Sequence, residues 1–454
     1  MKNYNFQSLS LVIIALISSL FATSCQDELS DNQLKGEGTA EQAIITLSGS
    51  LTTQTLSSSN TYILDGFVRV PSGVTLSIPA GTVIKGLSGT LSGNPATGTA
   101  PGTLIVERGG KIYAEGSANN PVVFTSNKAN PAAGDWGGII VLGKAPVCYD
   151  GTTIIEGIPT GNGIDRGYGG NNSADDSGIL RYVRIEYAGN VLVDGDETNG
   201  LTLGGVGSGT TLSHVEVYKG KDDGFEFFGG TVNADHLIAA YNVDDDFDTD
   251  QGYSGTIQYG IAIRDKDIFS SYPTGSFESN GDNDDATGCA YTNAKFYNFT
   301  VIGPIGPNTT SLSTAALAAY NSAAIIRDGS ELDIYNSILV GYPNYQLELE
   351  TPSAFGNTVN VEGVTLVSPS YNSFSAQCSN VANLGSTVSC LSAISSGTGR
   401  GSLVVLSGLK TKAWNPSSVL DFQPNSQKAG INGGFQGAIG ATSTAGWNSG
   451  WEKF

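Results

Sequence analysis

Between Gly200 and Asp267 one phrase is written twice and then a third time in weaker form. GLTLGGVGSGTTLSHVEVYKGKDD (Gly200 to Asp223) is followed by GFEFFGGTVNADHLIAAYNVDDD (Gly224 to Asp246) and FDTDQGYSGTIQYGIAIRDKD (Phe247 to Asp267). Val217 falls over Ala239, and Asp223 over Asp245 and then Asp267, at a spacing of 22 residues. A fixed period of this size restricts a chain to stacked coils, because each unit buries its apolar face only against its neighbours. Each unit holds a short β-like run closed by Gly, Asn or Asp, with no i, i+3, i+4 stripe, so the repeat consists of strand and turn. The fold predicted is all-β, a parallel β-helix.

The same grammar extends outward. VRVPSGVTLSIPAG and LIVERGGKIYAEG match with Val70 over Val106, Gly73 over Gly109 and Leu76 over Ile112, and the loop from Gly86 to Gly102 is an insertion in one coil. PVVFTS, WGGIIVLG, LRYVRIEYAG, LSHVEVYKG, KFYNFTVIG, DIYNSILVG and NVEGVTLVS each read as one strand with alternate residues facing the bore. Asn298 aligns with Asn336 and then Gly363, as corner residues would. Further insertions are read at Cys148 to Asp176 and Asp265 to Asp285. Trp447 and Trp451 follow the last coil, where a C-terminal cap is expected to cover an open end.

At the N-terminus, LVIIALISSLF (Leu11 to Phe21) is an apolar core too short to span a bilayer, and Ala22, Thr23 and Ser24 lead into Cys25. This is the pattern of a bacterial lipoprotein signal, with Cys25 lipidated by acyl chains such as palmitate; the alternative is an ordinary secretory signal with Cys25 incidental. The expected organisation is a signal peptide over 1–24, a lipidated flexible tether over 25–45, and a single β-helix domain over 46–454 with its cap from about 415 to 454.

The formal charge is -20, from 42 acidic against 22 basic residues, and such a surface repels nucleic acid. With Cys25 set aside, four cysteines remain in a compartment that permits disulfides. Cys378 and Cys390 could close a small loop, leaving Cys148 with Cys289; four buried free thiols are the alternative.

The set VPSGVTLSIPAGTVIKG, LIVERGGKIYAEG, WGGIIVLGKAP, LRYVRIEYAG, TNGLTLGGVGSGTTLSHVEV, DDGFEFFGGTVNADHL, DDDFDTDQGYSG and GAIG…WNSGW resembles a family of surface lipoproteins from Bacteroidota, over about Tyr62 to Phe454. Gln26, Asp27 and Glu28 likewise resemble the acidic signal that exports such lipoproteins to the outer face of the outer membrane. The resemblance implies a right-handed parallel β-helix, similar in architecture to pectate lyases, and brings with it no established reaction.

Asp222, Asp223, Asp244, Asp245, Asp246, Asp248 and Asp250 recur at coil spacing. Carboxylates about 4.8 Å apart repel by roughly 3 kcal/mol per pair at an effective dielectric near 20 unless hydrated, protonated or bridged by a cation. Ca²⁺ is the cation that such oxygen-rich sites suit; Asp as a plain turn former is the other reading. His214 and His236 are the only histidines, also 22 residues apart. Alternation from Val215 and Val217 sends His214 and Glu216 outward, onto a metal or acid–base site or onto a solvated polar sheet. The Gly204 to Gly209 run lacks the helix and Lys of a phosphate loop and reads as a coil corner.

A lyase would need a base, for which Arg181, Arg184, Lys219 and Lys221 are available; a hydrolase would need a carboxylate pair, which Asp223 with Asp245 or Asp246 could offer. Neither has a distinguishing motif. The expected function is therefore a noncatalytic, surface-exposed binding or accessory lipoprotein of the outer membrane, whose partner is an extracellular glycan or an outer-membrane transporter. A calcium-dependent polysaccharide lyase or glycoside hydrolase is the alternative, and a structural or adhesive coat protein the third reading.

Overall fold

The chain winds as a right-handed parallel β-helix, three strands to the coil, with each strand hydrogen-bonded in parallel to its counterpart one coil away. The computed structural model describes residues 42–89, 99–148, 153–159, 163–193, 196–281, 291–305, 311–320, 322–343, 345–349, 359–362, 364–367, 437–439, 447–448 and 450–453.

The first sheet runs through Thr103–Val106, Ile139–Leu142, Leu201–Gly204, Phe225–Phe228, Phe247–Asp250, Phe277–Asn280 and Ala324–Arg327. The second and third sheets are often two halves of one bent strand. In Gly178–Glu186, Thr211–Tyr218, Ala234–Ala240 and Thr256–Ile263 the bend falls at Tyr182, His214, His236 and Tyr259. Each of these residues has a φ between 49° and 63°, left-handed for a side-chain-bearing residue. Asn298 and Asn336 hold the same corner further along, with φ of 57° and 50°.

Alternation then fills the bore. Leu104, Ile139, Leu201, Phe225, Phe247 and Phe277 project inward from the first sheet and are buried. Phe225 stacks on Phe247 at 5.1 Å and 5°, and Phe247 meets Phe299 edge-on at 5.2 Å. A fully buried side chain of this size contributes about 1.5–3 kcal/mol, so the ladder is a large part of what holds the coils together. The aligned pairs read from the sequence are register partners here: Val70 with Val106, Leu76 with Ile112 and Val217 with Ala239.

One alignment is corrected. Phe247 pairs with Phe277, so the third coil is longer by the loop that begins at Asp265, and Gly275 rather than Asp267 occupies the corner over Asp245. Asp267 is exposed beside Lys266.

Two outer features cover the coils. Ile155, Ile158 and Tyr168, from the insertion after Cys148, pack on Ile105, Ile140 and Leu142 of the first sheet. Gly86 admits the buried Trp136, whose Cβ would lie 2.5 Å from any Cβ added there. The described residues 447–448 and 450–453 lie against the flank of the middle coils; the rest of the expected cap, from about 415, is outside the described residues but for 437–439. Trp451 is fully buried against Tyr182 and His214, and Trp447 meets His214 and His236 edge-on. Lys453 donates its backbone N–H to Glu216 at 2.9 Å and pairs with Glu186 at 3.1 Å.

Candidate functional site

The corner where the third sheet turns into the first is built by a ladder of side-chain acceptors. The Asp223 amide donates to Asn199 Oδ1 at 3.2 Å, the Asp245 amide to Asp223 Oδ1 at 2.9 Å, and the Gly275 amide to Asp245 Oδ1. Each carboxylate thus satisfies a backbone group one coil away, the turn-forming role that Asp fills through its short acceptor side chain.

Beside this corner the outer face of the first sheet carries Glu226, Asp248 and Glu278 in register on three successive coils. The two features converge. Asp223, Glu226 and Asp248 each place a carboxylate oxygen within 4.8 Å of the others, and so do Asp223, Asp244 and Asp245. Asp223 belongs to both groups. Asp248 is 8% exposed, and its Oδ1 has no hydrogen-bond partner.

Burial and mutual repulsion push these carboxyls well above the ordinary range. For Asp223 burial is the main cause, followed by Asp222 and Asp248; for Glu226 it is burial, then Glu156 and Asp223; for Asp248 it is burial, then Glu278 and Asp250. Asp245 is raised by burial and then by Glu278 and Asp244. Five carboxyls this close cannot all carry charge without a counter-ion, and the oxygen-only donor set fits a hard cation.

The set read from the sequence changes at four positions. Asp246 belongs to another network: its Oδ2 lies 2.9 Å from Arg264 Nε, both side chains are fully buried, and burial lifts its pKa to about 6 against the pull of Arg264. Asp250 turns to the Gln251 amide at 2.6 Å and is lifted to about 7, mainly by burial. Asp222 faces Asp244, Glu197 and Glu156 from outside the two groups. Glu226 enters the site. The period-two pattern of Phe-Glu-Phe-Phe, with Phe225 and Phe227 inward, was the signal that would have placed it outside beside Asp248.

Of the candidate bases, Lys221 stays beside the acidic residues, where its charge acts to lower the carboxyl of Asp222, and the other three are elsewhere. Arg181 pairs in register with Ser213 on the second sheet and acts on His214, while Lys219 Nζ stands 5.3 Å over the Tyr218 ring. Arg184 pairs with Glu186. No ion pair among the described residues joins Arg181 or Lys219 to Asp223 or Asp245.

His214 and His236 are brought together, and not onto a solvated sheet. Their rings stack at 4.3 Å and 13°, flanked by Tyr182 at 4.3 Å and Tyr259 at 4.9 Å. Asp235, which the sequence reading passed over, accepts from Ser213 Oγ at 2.6 Å and lies 2.5 Å from His236 Nδ1. Glu216, expected outside in water, is fully buried under the C-terminal residues, and burial pushes its carboxyl well up.

Cys148 is disulfide-bonded to a cysteine outside the described residues. The Cys378–Cys390 pairing and the lipidation at Cys25 also fall outside them.

A family model described as a pectate-lyase-like β-helix domain matches residues 48–415. No curated protein and no solved structure matches the chain.

Proposed function

The chain belongs to the family of pectate-lyase-like β-helix domains, and from that premise we propose that it is a noncatalytic binding protein whose acidic corner takes up Ca²⁺ and whose rigid coils engage an extracellular glycan. The observation that carries the reading is the pair of carboxylate groups sharing Asp223, with the buried Asp248 Oδ1 left without a partner among protein donors. An unpartnered buried carboxylate oxygen is costly, and a divalent cation coordinated by Asp223, Glu226 and Asp248, or by Asp223, Asp244 and Asp245, removes that cost.

Noncatalytic binding is favoured over lyase or hydrolase chemistry by what the same side chains already do. Asp223 and Asp245 each accept a backbone amide at the corner, Lys219 stands over the Tyr218 ring, and Arg181 lies on the second sheet in register with Ser213, so neither of these two bases shares the acidic corner.

Calorimetric titration with Ca²⁺ tests this. The parent is expected to bind, and the Asp223→Asn, Asp248→Asn double variant, which keeps size and most hydrogen bonding, is expected not to. A parent that takes up no Ca²⁺, or a variant that binds like the parent, refutes the calcium site.

The reading also places the protein on the outer face of the outer membrane, held by acyl chains on Cys25. Cys25→Ser is expected to shift it from the sedimenting membrane fraction to the soluble one. Unchanged sedimentation of that variant excludes the anchor.

A further inference from the structure

At the edge of the first sheet away from the acidic corner, where the coil turns into the second sheet, the described residues line an open cleft of about 470 Å³. That lies within the range of about 300–1,000 Å³ usual for small-ligand sites.

Its walls are preformed by backbone bonds between separate segments. The Gly230 amide donates to Pro146 O at 2.8 Å, the Cys148 amide to Gln251 O at 2.8 Å, and the Asn293 amide to Tyr253 O at 2.8 Å. The Glu331 amide donates to Thr292 O at 2.7 Å.

The side chains that line this space are of complementary kinds. Tyr291 lines the cleft with a large aromatic ring that is 46% exposed. Glu331 is oriented by Asn293, whose Nδ2 donates to Glu331 Oε2 at 2.5 Å, and a carboxylate retains acceptor capacity beyond one such bond. Val147 and Pro146 supply an apolar side, and Ser254 a hydroxyl.

We propose that this cleft binds a neutral sugar residue of an oligosaccharide. The C–H face of the pyranose ring lies on Tyr291, and neighbouring hydroxyls donate to the Glu331 carboxylate, with Asn293 holding that carboxylate in place. A flat ring with an apolar face and a rim of hydroxyl donors matches an exposed aromatic beside an oriented carboxylate. A uronate does not, because its negative charge would face Glu331 in a protein that already carries a formal charge of -20. The inference rests on the glycan-binding reading and deepens it. It shares no residue with the calcium site, so the two stand or fall separately.

The test is calorimetric titration of the full chain, in a sugar-free detergent, with cellohexaose, mannohexaose and xylohexaose, each with Ca²⁺ and again with EDTA. At least one of the three is expected to bind under both conditions. Tyr291→Ala and Glu331→Gln are each expected to weaken that binding by about tenfold or more, Tyr291→Phe to preserve it, and the Asp223→Asn, Asp248→Asn variant to leave it unchanged. Absence of binding by all three overturns the proposal, as does binding that survives both Tyr291→Ala and Glu331→Gln. Binding that disappears in EDTA assigns the sugar to the acidic corner and overturns it as well.

Discussion

Within Asp244-Asp245-Asp246-Phe247-Asp248, side chains of one chemical type reach three different environments. Asp245 accepts a backbone amide at the corner, Asp246 meets a buried guanidinium, and Asp248 faces other carboxylates. What separates them is the start of the strand at Phe247: Asp245 and Asp246 lie at the corner before it, where alternation does not apply, and Asp248 lies within it, facing opposite to the buried Phe247. His214 shows the same dependence on setting. Burial, and then the neighbouring His236, lower its pKa to about 4, with Asp235 acting to raise it and Arg181 to lower it. The folded imidazole is therefore neutral at pH values where the unfolded one, with the ordinary value of 6.5, already takes up a proton. Its contribution to stability is whole above about 6.5 and is lost as the pH falls toward 4. His214→Phe keeps an aromatic ring in the stack and removes the titration. The melting temperature of the parent should thus fall relative to that of the variant between about pH 7 and pH 5. Parallel pH profiles for the two proteins would show that His214 titrates normally.

At the scale of strands and corners, the alternation of Val, Leu, Ile and Phe was enough to place the coils, because a strand has a period of two and the bore selects one face. Alternation stopped being informative at the bends. Tyr182, His214, His236 and Tyr259 adopt left-handed backbone that Gly or Asn would have signalled and that an aromatic residue does not. The tight bend at His236 leaves both Asp235 and His236 partly exposed and in contact, a neighbour relation that strict alternation forbids. Asp267 was misplaced for a related reason, since a loop inserted after Asp265 changes the length of a coil while leaving its Asp-rich composition intact. The C-terminal residues were the least legible. Lys453 and Glu216 are 237 positions apart, and nothing in Trp-Asn-Ser-Gly-Trp distinguishes a lid over an end from a strip laid along a flank. The acidic corner was legible as composition and as spacing; its membership, with Glu226 in and Asp246 out, required knowing which way each strand faced.

For the whole molecule the decisive property is that a solenoid is nearly one-dimensional, with each coil interacting only with its neighbours. Calcium at the acidic corner would act as a staple between particular coils, because Asp223 ends one repeat, Glu226 belongs to the next strand and Asp248 to the strand after it. The same coils carry the Phe225–Phe247 stack inside, so opening them separates the aromatic ladder and the cation ligands together. A ligand present at a hundredfold excess over its Kd, and bound only by the closed form, raises the free energy of opening by about 2.7 kcal/mol, roughly a hundredfold in amide exchange from opened states. Nearest-neighbour coupling confines that effect to the stapled region and the coils adjoining it. Hydrogen exchange with and without Ca²⁺ should therefore slow strongly from Asn199 to Phe228 and from Asp244 to Ser279, and little from Thr61 to Ser126. Slowing spread evenly along the chain would mean that the coils open as one unit and that the solenoid is not one-dimensional on this scale. Slowing confined to the N-terminal coils would place the cation away from Asp223 and Asp248 altogether.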